Sequence, residues 1–306
     1  MTGKNWTNIV VLAASLFVAT AASADWRKEL GTFRIGFVET ETKMLSPGDL
    51  AELRAVFSKQ LAMPVEIFQA RDLPSLIDAH VSSRIEYAVY SAGAYATAWL
   101  ACQCIEPLVS PVNTDGTSGF KTVLLTADTL TLAGLATSQG IGMQGADSLL
   151  GTGVPLASFQ SSGLALTGSE TWLVRQDDMA ALVEQYRDGK VDGLFAVVPA
   201  GFDSAKTDGS VSAVFAAMSA TARKPKSLWA SAVVPYGPHA VRKNLAPEAK
   251  TIVADTISRL PQTNVELADL LLPDNAVGFA PIAHGAYDLA VKAAKALAAA
   301  SGAPKP

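Results

Sequence analysis

The chain has 306 residues, 49% of them apolar and 17% charged, and its 24 basic residues against 28 acidic ones leave a net charge of −4. This balance offers no basic surface for a phosphate backbone, which excludes nucleic acid as a partner. The apolar share is ample for a large buried core.

In chain order, the first feature is a targeting segment rather than a fold element. Lys4 precedes an apolar run from Ile9 to Ala22, and Ala22-Ser23-Ala24 obeys the small-x-small rule for cleavage before Asp25. The run falls short of the roughly 18 to 20 apolar residues of a membrane anchor. Residues 1–24 therefore read as a signal peptide cleaved after Ala24, and the expected location is the periplasm. The mature 282 residues carry a net charge near −5.

Thr32 to Val38 is rich in β-branched and aromatic residues and reads as a strand. Pro47 to Leu61 places Leu50, Leu53, Val56, Phe57 and Leu61 at helical spacing. Val65 to Phe68 reads as a second strand, Leu73 to Val81 as a second helix and Glu86 to Tyr90 as a third strand. Such alternation predicts a parallel sheet covered by helices, with ligands beyond the carboxyl ends of its strands.

A short echo follows. Residues 78–90, DAHVSSRIEYAVY, resemble residues 184–196, EQYRDGKVDGLFA. Each is a helix end, a polar turn, an acid after Ile or Val, and an apolar strand. Glu86 and Asp192 read as structural groups capping that turn, and the repeated unit predicts two similar α/β lobes. Val123 to Leu125 reads as a strand running into a crossing near 125–128. Lys224-Pro225-Lys226 interrupts the pattern, and Leu228 to Val234 resumes as a strand. The expected division is 25–126 plus 227–306 for one lobe and 127–226 for the other, a double crossing that permits hinge closure. Tyr287 to Ala300 is alanine-rich and reads as helix.

The two cysteines, Cys102 and Cys104 in ACQC, have three readings: small apolar fillers at a helix end, a labile disulfide, or a soft-metal pair. HExxH, GxSxG and Walker motifs are missing, and His80, His239 and His284 lie far apart and read as surface or capping groups. Nothing here points to an enzyme, a metal or a cofactor.

Binding features are stronger. In GIGMQGADSLLGTGVP, Gly140 to Pro155, an apolar strand turns through Gly145 into a helix start. The N–H groups of residues 148 to 151 are then free donors, with the hydroxyls of Ser148 and Thr152 beside them. Gly145 and Gly151 allow close backbone approach. Ser148 as a plain helix cap is an equal alternative. A second wall is Tyr90-Ser91-Ala92-Gly93-Ala94-Tyr95, again a strand end entering a helix, now with two phenols; packing of Tyr95 under the helix is the alternative. Two such loops face to face would surround an oxyanion with neutral donors.

The order of these motifs resembles the periplasmic substrate-binding proteins of phosphate, phosphite and phosphonate ABC importers, the PhnD-like branch of the type II binding-protein fold. FRIGFVETE matches the family's opening strand. MPVEIFQARDLPSLIDAHVSSRIEYAVYSAGAYATA parallels its second strand, helix, third strand and Tyr-bearing loop. EPLVSPVNTDGTSGFKTVLL resembles the run into the hinge strand, and VPYGPHAVRKNLAPEAK the return segment. GADSLLGTGVP stands where the family has a Ser-Thr-Ser-Gly loop for phosphoryl oxygens, with Leu149 and Leu150 in place of two hydroxyl residues. Val197 stands where aminophosphonate binders carry an acid, which argues against an aminophosphonate.

The resemblance implies an α/β fold of two lobes, each a parallel-core sheet flanked by helices, joined by a double-crossover hinge. It implies capture of a small oxyanion in the inter-lobe cleft and delivery to a membrane ABC permease by a monomer. The candidate ligand set is Tyr90, Ser91 and Tyr95 on one wall, Ser148, Leu149, Leu150, Gly151 and Thr152 on the other, with Glu39 and Thr40 after the first strand. Two alternatives keep the fold: a larger organic anion, suited to Leu149 and Leu150, or an exported sensor, redox or copper-handling protein using Cys102 and Cys104.

Overall fold

The computed structural model describes residues 25–38, 46–161, 164–205 and 212–301. A short helix α1 (Trp26–Leu30) precedes strand β1 (Phe33–Val38), α2 (Pro47–Leu61), β2 (Val65–Ala70), α3 (Leu73–Val81), β3 (Tyr87–Val89), α4 (Ala92–Cys102) and β4 (Ile105–Asn113). The chain then enters β5 (Phe120–Ala127), β6 (Ile141–Met143), α5 (Val154–Ser158), the hairpin β7 (Gln160–Ser161) and β8 (Leu164–Ala165), and β9 (Leu173–Arg175). Next come α6 (Met179–Arg187), β10 (Gly193–Pro199), α7 (Ala213–Ser219) and β11 (Pro225–Ala230). It closes with β12 (His239–Arg242), α8 (Pro247–Thr263), α9 (Val265–Leu271), β13 (Ala276–Pro281) and α10 (Asp288–Ala300).

Two sheets result, in the orders β13-β4-β12-β3-β1-β2 and β11-β5-β10-β6-β9. Each contains a parallel trio with its first strand in the middle: β3-β1-β2 and β10-β6-β9. The remaining strands pair antiparallel. Local signals set the elements. Ser46 and Asp49 form a reciprocal capping box before α2, with Pro47 in its first turn. In β1, the odd positions Phe33, Ile35 and Phe37 fill the same core as Phe57 and Leu61 of α2, as a period-2 strand requires. Each such large side chain contributes about 1.5–3 kcal/mol on burial. Apolar layers lie on both faces of the second sheet too, around Leu125, Leu182 and Tyr186 on one side and Phe159 and Phe195 on the other.

The echo between residues 78–90 and 184–196 has a shared physical cause. Glu86 accepts a hydrogen bond from the backbone N–H of Arg34 at 2.7 Å and one from the guanidinium of Arg242 at 3.0 Å. Asp192 does the same with Gln139 N–H at 2.8 Å and Arg223 at 2.6 Å. Each acid thus ties the start of a third parallel strand to the start of the first.

Sheet membership moves the crossings. β5 belongs wholly to the second sheet, so the chain crosses between Asn113 and Phe120 rather than near 125–128. It returns between Ala230 and His239, and an antiparallel bridge of Phe120 with Val234 pins the two crossings together. β11 begins at Pro225 instead of Leu228, which an edge strand tolerates because its outward N–H needs no partner. The histidine reading also changes: His80 and His239 are fully buried, hydrogen-bonded through Nδ1 to the phenols of Tyr90 and Tyr87.

Cys102 and Cys104 form a disulfide with their Cα atoms 5.0 Å apart, so they are not free fillers. Gln103 between them takes the left-handed conformation that ends α4. So short a loop removes little entropy from the unfolded chain. The Cys102→Ser, Cys104→Ser double variant is therefore expected to melt close to the parent in a calorimetric scan. A drop of more than about 10 °C, roughly 3 to 5 kcal/mol by the usual scaling, would show that the bond holds the fold.

Candidate ligand-binding cleft

In each parallel trio the connections part at the carboxyl ends of the strands, the place where open α/β sheets receive ligands. In the first sheet, β3 ends at Val89 and the chain turns through Ser91 into α4. Ser91 Oγ accepts from Ala94 N–H at 3.1 Å, and the N–H groups of Ala92 and Gly93 have no acceptor among the described residues. In the second sheet, β6 ends at Met143, and the chain passes Gln144 and Ser148 into the π-helical turn Leu149–Gly153 and on into α5. Ser148 Oγ accepts from Gly151 N–H at 3.0 Å, and Ser148 O accepts from Thr152 and Gly153. Leu149 and Leu150 are left with N–H groups that have no acceptor among the described residues.

These two loops face each other across a cleft of about 810 Å³. Ser91 to Ala94 and Thr97 form one wall, and Gln144, Asp147 to Leu150 and Val197 the other. The crossing segments supply Phe120 and Val234 to Gly237 as a floor, while Ala294 and Leu297 of α10 close one end. The walls already touch: Leu149 lies 3.5 Å from where a side chain at Gly93 would begin. Among the described residues Asp147 is the only charged side chain on this lining. Among the described residues the site therefore offers neutral donors, an apolar body and no cation. An oxyanion can be stabilised by such neutral donors.

Residues 35–287 match the family model for the periplasmic substrate-binding protein of phosphonate ABC transporters. The chain belongs to this family. It is a binding protein of an ABC importer rather than an enzyme, and its place is the periplasm. No curated protein sequence matches it significantly. Solved structures of the same fold include XAC2383 from Xanthomonas citri bound to ATP, at 13% identity and TM-score 0.57, covering 89% of this chain and 98% of that one. Mh-p37 from Mycoplasma hyorhinis matches at 11% identity and TM-score 0.52, covering 82% and 94%. Transferrin 1 from Manduca sexta matches at 12% identity and TM-score 0.55, covering 88% and 46%. At these identities the likeness concerns the fold alone.

In this binding protein the expected ligand residues divide. Ser91, Ser148, Leu149 and Leu150 line the cleft. Tyr90 and Tyr95 do not. Strand alternation turns Tyr90 into the core, 3% exposed, where its hydroxyl meets His80 Nδ1 at 3.0 Å. Tyr95, fully buried, lies under α4 with its hydroxyl 2.9 Å from His284 Nδ1 and its ring 4.9 Å from that of Tyr287. Burial pushes both phenols up, so they stay protonated. Gly151 and Thr152 are buried behind the loop, and the Thr152 hydroxyl donates to Gln144 O at 2.7 Å. Glu39 and Thr40 lie outside the described residues.

The hydroxyl of Ser148 is engaged on both sides, accepting from Gly151 and donating to Gln144 Oε1 at 3.0 Å. Sequence reasoning passed over Gln144, although a polar residue directly after the apolar triplet IGM, at a strand's carboxyl end, is a usable signal. It also passed over Phe120, Tyr236 and Gly237. Leu297, far along the chain in an alanine-rich helix, carries no local signal at all.

Proposed function

We propose that this protein captures a small oxyanion of the phosphonate, phosphite or phosphate class between its two sheets and passes it to the importer's permease. The observation that supports this most is the pairing of two loops whose free N–H groups face one cleft in which no described residue is a cation. Closure hinges on the crossing segments 114–119 and 231–238, and a ligand touching both walls favours the closed state by its differential contacts. A monomeric mature chain beginning at Asp25 is part of the proposal.

The size of the cleft, about 810 Å³, and the apolar faces of Leu149, Leu150, Val197 and Leu297 favour a second reading, a larger organic anion in the same place. A thermal-shift panel on the exported protein, refolded to strip carried-over ligand, separates the two. Mass spectrometry of that material should give Asp25 as first residue, and light scattering a single chain. A ligand at 100 times its dissociation constant adds about 2.7 kcal/mol. Response to phosphate, phosphite and methylphosphonate supports the first reading. Response only to phenylphosphonate or larger organic anions moves the assignment to the second. Response to none of these anions sinks both.

A further inference from the structure

Resting on the oxyanion reading, we infer that the side-chain amide of Gln144 is the group with which the second lobe grips the ligand's oxygens, and that Ser148 acts through it. Gln144 stands directly past the carboxyl end of β6, the central strand of the second parallel trio, and lines the cleft. Its position is held from three directions. The backbone carbonyl accepts from the Thr152 hydroxyl at 2.7 Å and from Arg175 Nη1 at 3.3 Å. The side-chain Oε1 accepts from Ser148 Oγ at 3.0 Å. With that oxygen committed, the amide's two N–H donors have no acceptor among the described residues.

Gly151 completes the arrangement. A Cβ at that position would stand 1.9 Å from Gln144 Oε1 and 2.6 Å from its Cδ, so the SLLG turn has its glycine where the amide must pass. The turn is thus shaped around Gln144. A primary amide fixed in this way supplies donors beside the apolar Leu149 and Leu150. A donor held before the ligand arrives also loses little freedom on binding.

Charge placement points the same way. Arg175, at the end of β9, sits behind the loop with its guanidinium on the carbonyls of Gln144 and Gly168 and 3.4 Å from the Thr152 hydroxyl. No carboxylate within ion-pair distance of it is found among the described residues. The guanidinium is exposed and stands off the cleft, so it positions the Gln144 carbonyl while the amide makes the contact. The ligand class that fits is an anion whose head presents acceptor oxygens to Gln144 and whose apolar body lies on Val197, Val234 and Leu297.

The test is calorimetric titration of phenylphosphonate and inorganic phosphate into the parent protein, Gln144→Glu and Ser148→Ala. Gln144→Glu keeps the shape and the acceptor for Ser148 but exchanges the donors for a carboxylate. The expected result is at least a tenfold loss of affinity in Gln144→Glu and a smaller loss in Ser148→Ala, both melting within a few degrees of the parent. In the parent, the NMR resonances of the Gln144 side-chain amide should shift on addition of phenylphosphonate, a response a merely structural glutamine lacks. If the parent binds and Gln144→Glu binds within twofold, or if the amide resonances stay in place, the inference is overturned while the oxyanion reading stands. If the parent binds neither probe, nor phosphite nor methylphosphonate, the oxyanion reading falls and the inference with it.

Discussion

Gly237→Ala is expected to destroy or severely destabilise the protein. A Cβ at this position would lie 1.7 Å from the carbonyl oxygen of Tyr90 and 2.6 Å from Cα of Ser91. Those are backbone atoms at the end of β3, where the first wall of the cleft begins, and rotation of a flexible side chain cannot relieve them. Ordinary overpacking costs about 1–3 kcal/mol, and a backbone collision exceeds that range. Against a total stability of about 5–15 kcal/mol this is a large fraction. Gly278→Ala is the control, because nothing lies within 4 Å of its added carbon. Melting curves of both variants decide the matter. A Gly237→Ala protein that melts with the parent would mean that the segment from Pro235 to Pro238 does not hold the Ser91 loop.

The second large effect is loss of the fold in mild acid. His80 and His239 are fully buried, and burial lowers both imidazoles from 6.5 to about 3. Each is therefore neutral in the native protein, while in the unfolded chain it gains a proton below the ordinary histidine value. Between about pH 6.5 and 3 the unfolded state binds more protons, so stability falls as the pH falls. The slope approaches about 1.4 kcal/mol per pH unit for each imidazole, about 3 kcal/mol for the pair. Glu86 works against this in the lower part of the window. Burial raises its carboxyl despite Arg34 and Arg242, so its contribution is fully present below the ordinary carboxylate value and is lost as the pH rises.

Denaturant midpoints measured from pH 7 to pH 4 should drop steeply below pH 6, with unfolding near pH 4 to 5, about two units of the combined slope below the histidine value. NMR should show no titration of His80 and His239 above pH 5. Midpoints that stay level down to pH 4.5 would mean that these imidazoles are protonated within the fold, and that their burial has been relieved.

Much of the fold was legible because its signals are local. The helix from Pro47 to Leu61 and the one from Leu73 to Val81 end where spacing and caps place them. The two acids at Glu86 and Asp192 were readable as structural because the same turn occurs twice. The two loops that face the cleft were legible for the same reason: strand, small residues and helix start are contiguous in the chain. The errors arose where direction or distance matters. A hydroxyl-bearing residue at a loop is visible in sequence, but whether it points outward is not. Tyr90 follows the parity of β3 into the core, and Tyr95 is claimed by the turn His284–Tyr287 that leads into α10, 190 or so residues away. The first crossing was placed too late because β5 reads as a strand in either sheet, and the second too early because Lys224-Pro225-Lys226 reads as a break although β11 begins there.

The sequence by itself determined the class of protein: its alternating elements and its family are carried by contiguous residues. The tertiary structure alone decided which residues line the cleft. It turned the phenols inward, closed the disulfide, brought Phe120, Tyr236 and Leu297 together from distant segments, and fastened Gln144 between Ser148, Thr152 and Arg175. The physical reason is that a strand or helix is held by neighbours a few residues away, whereas a ligand is held by whichever groups two sheets bring to one gap.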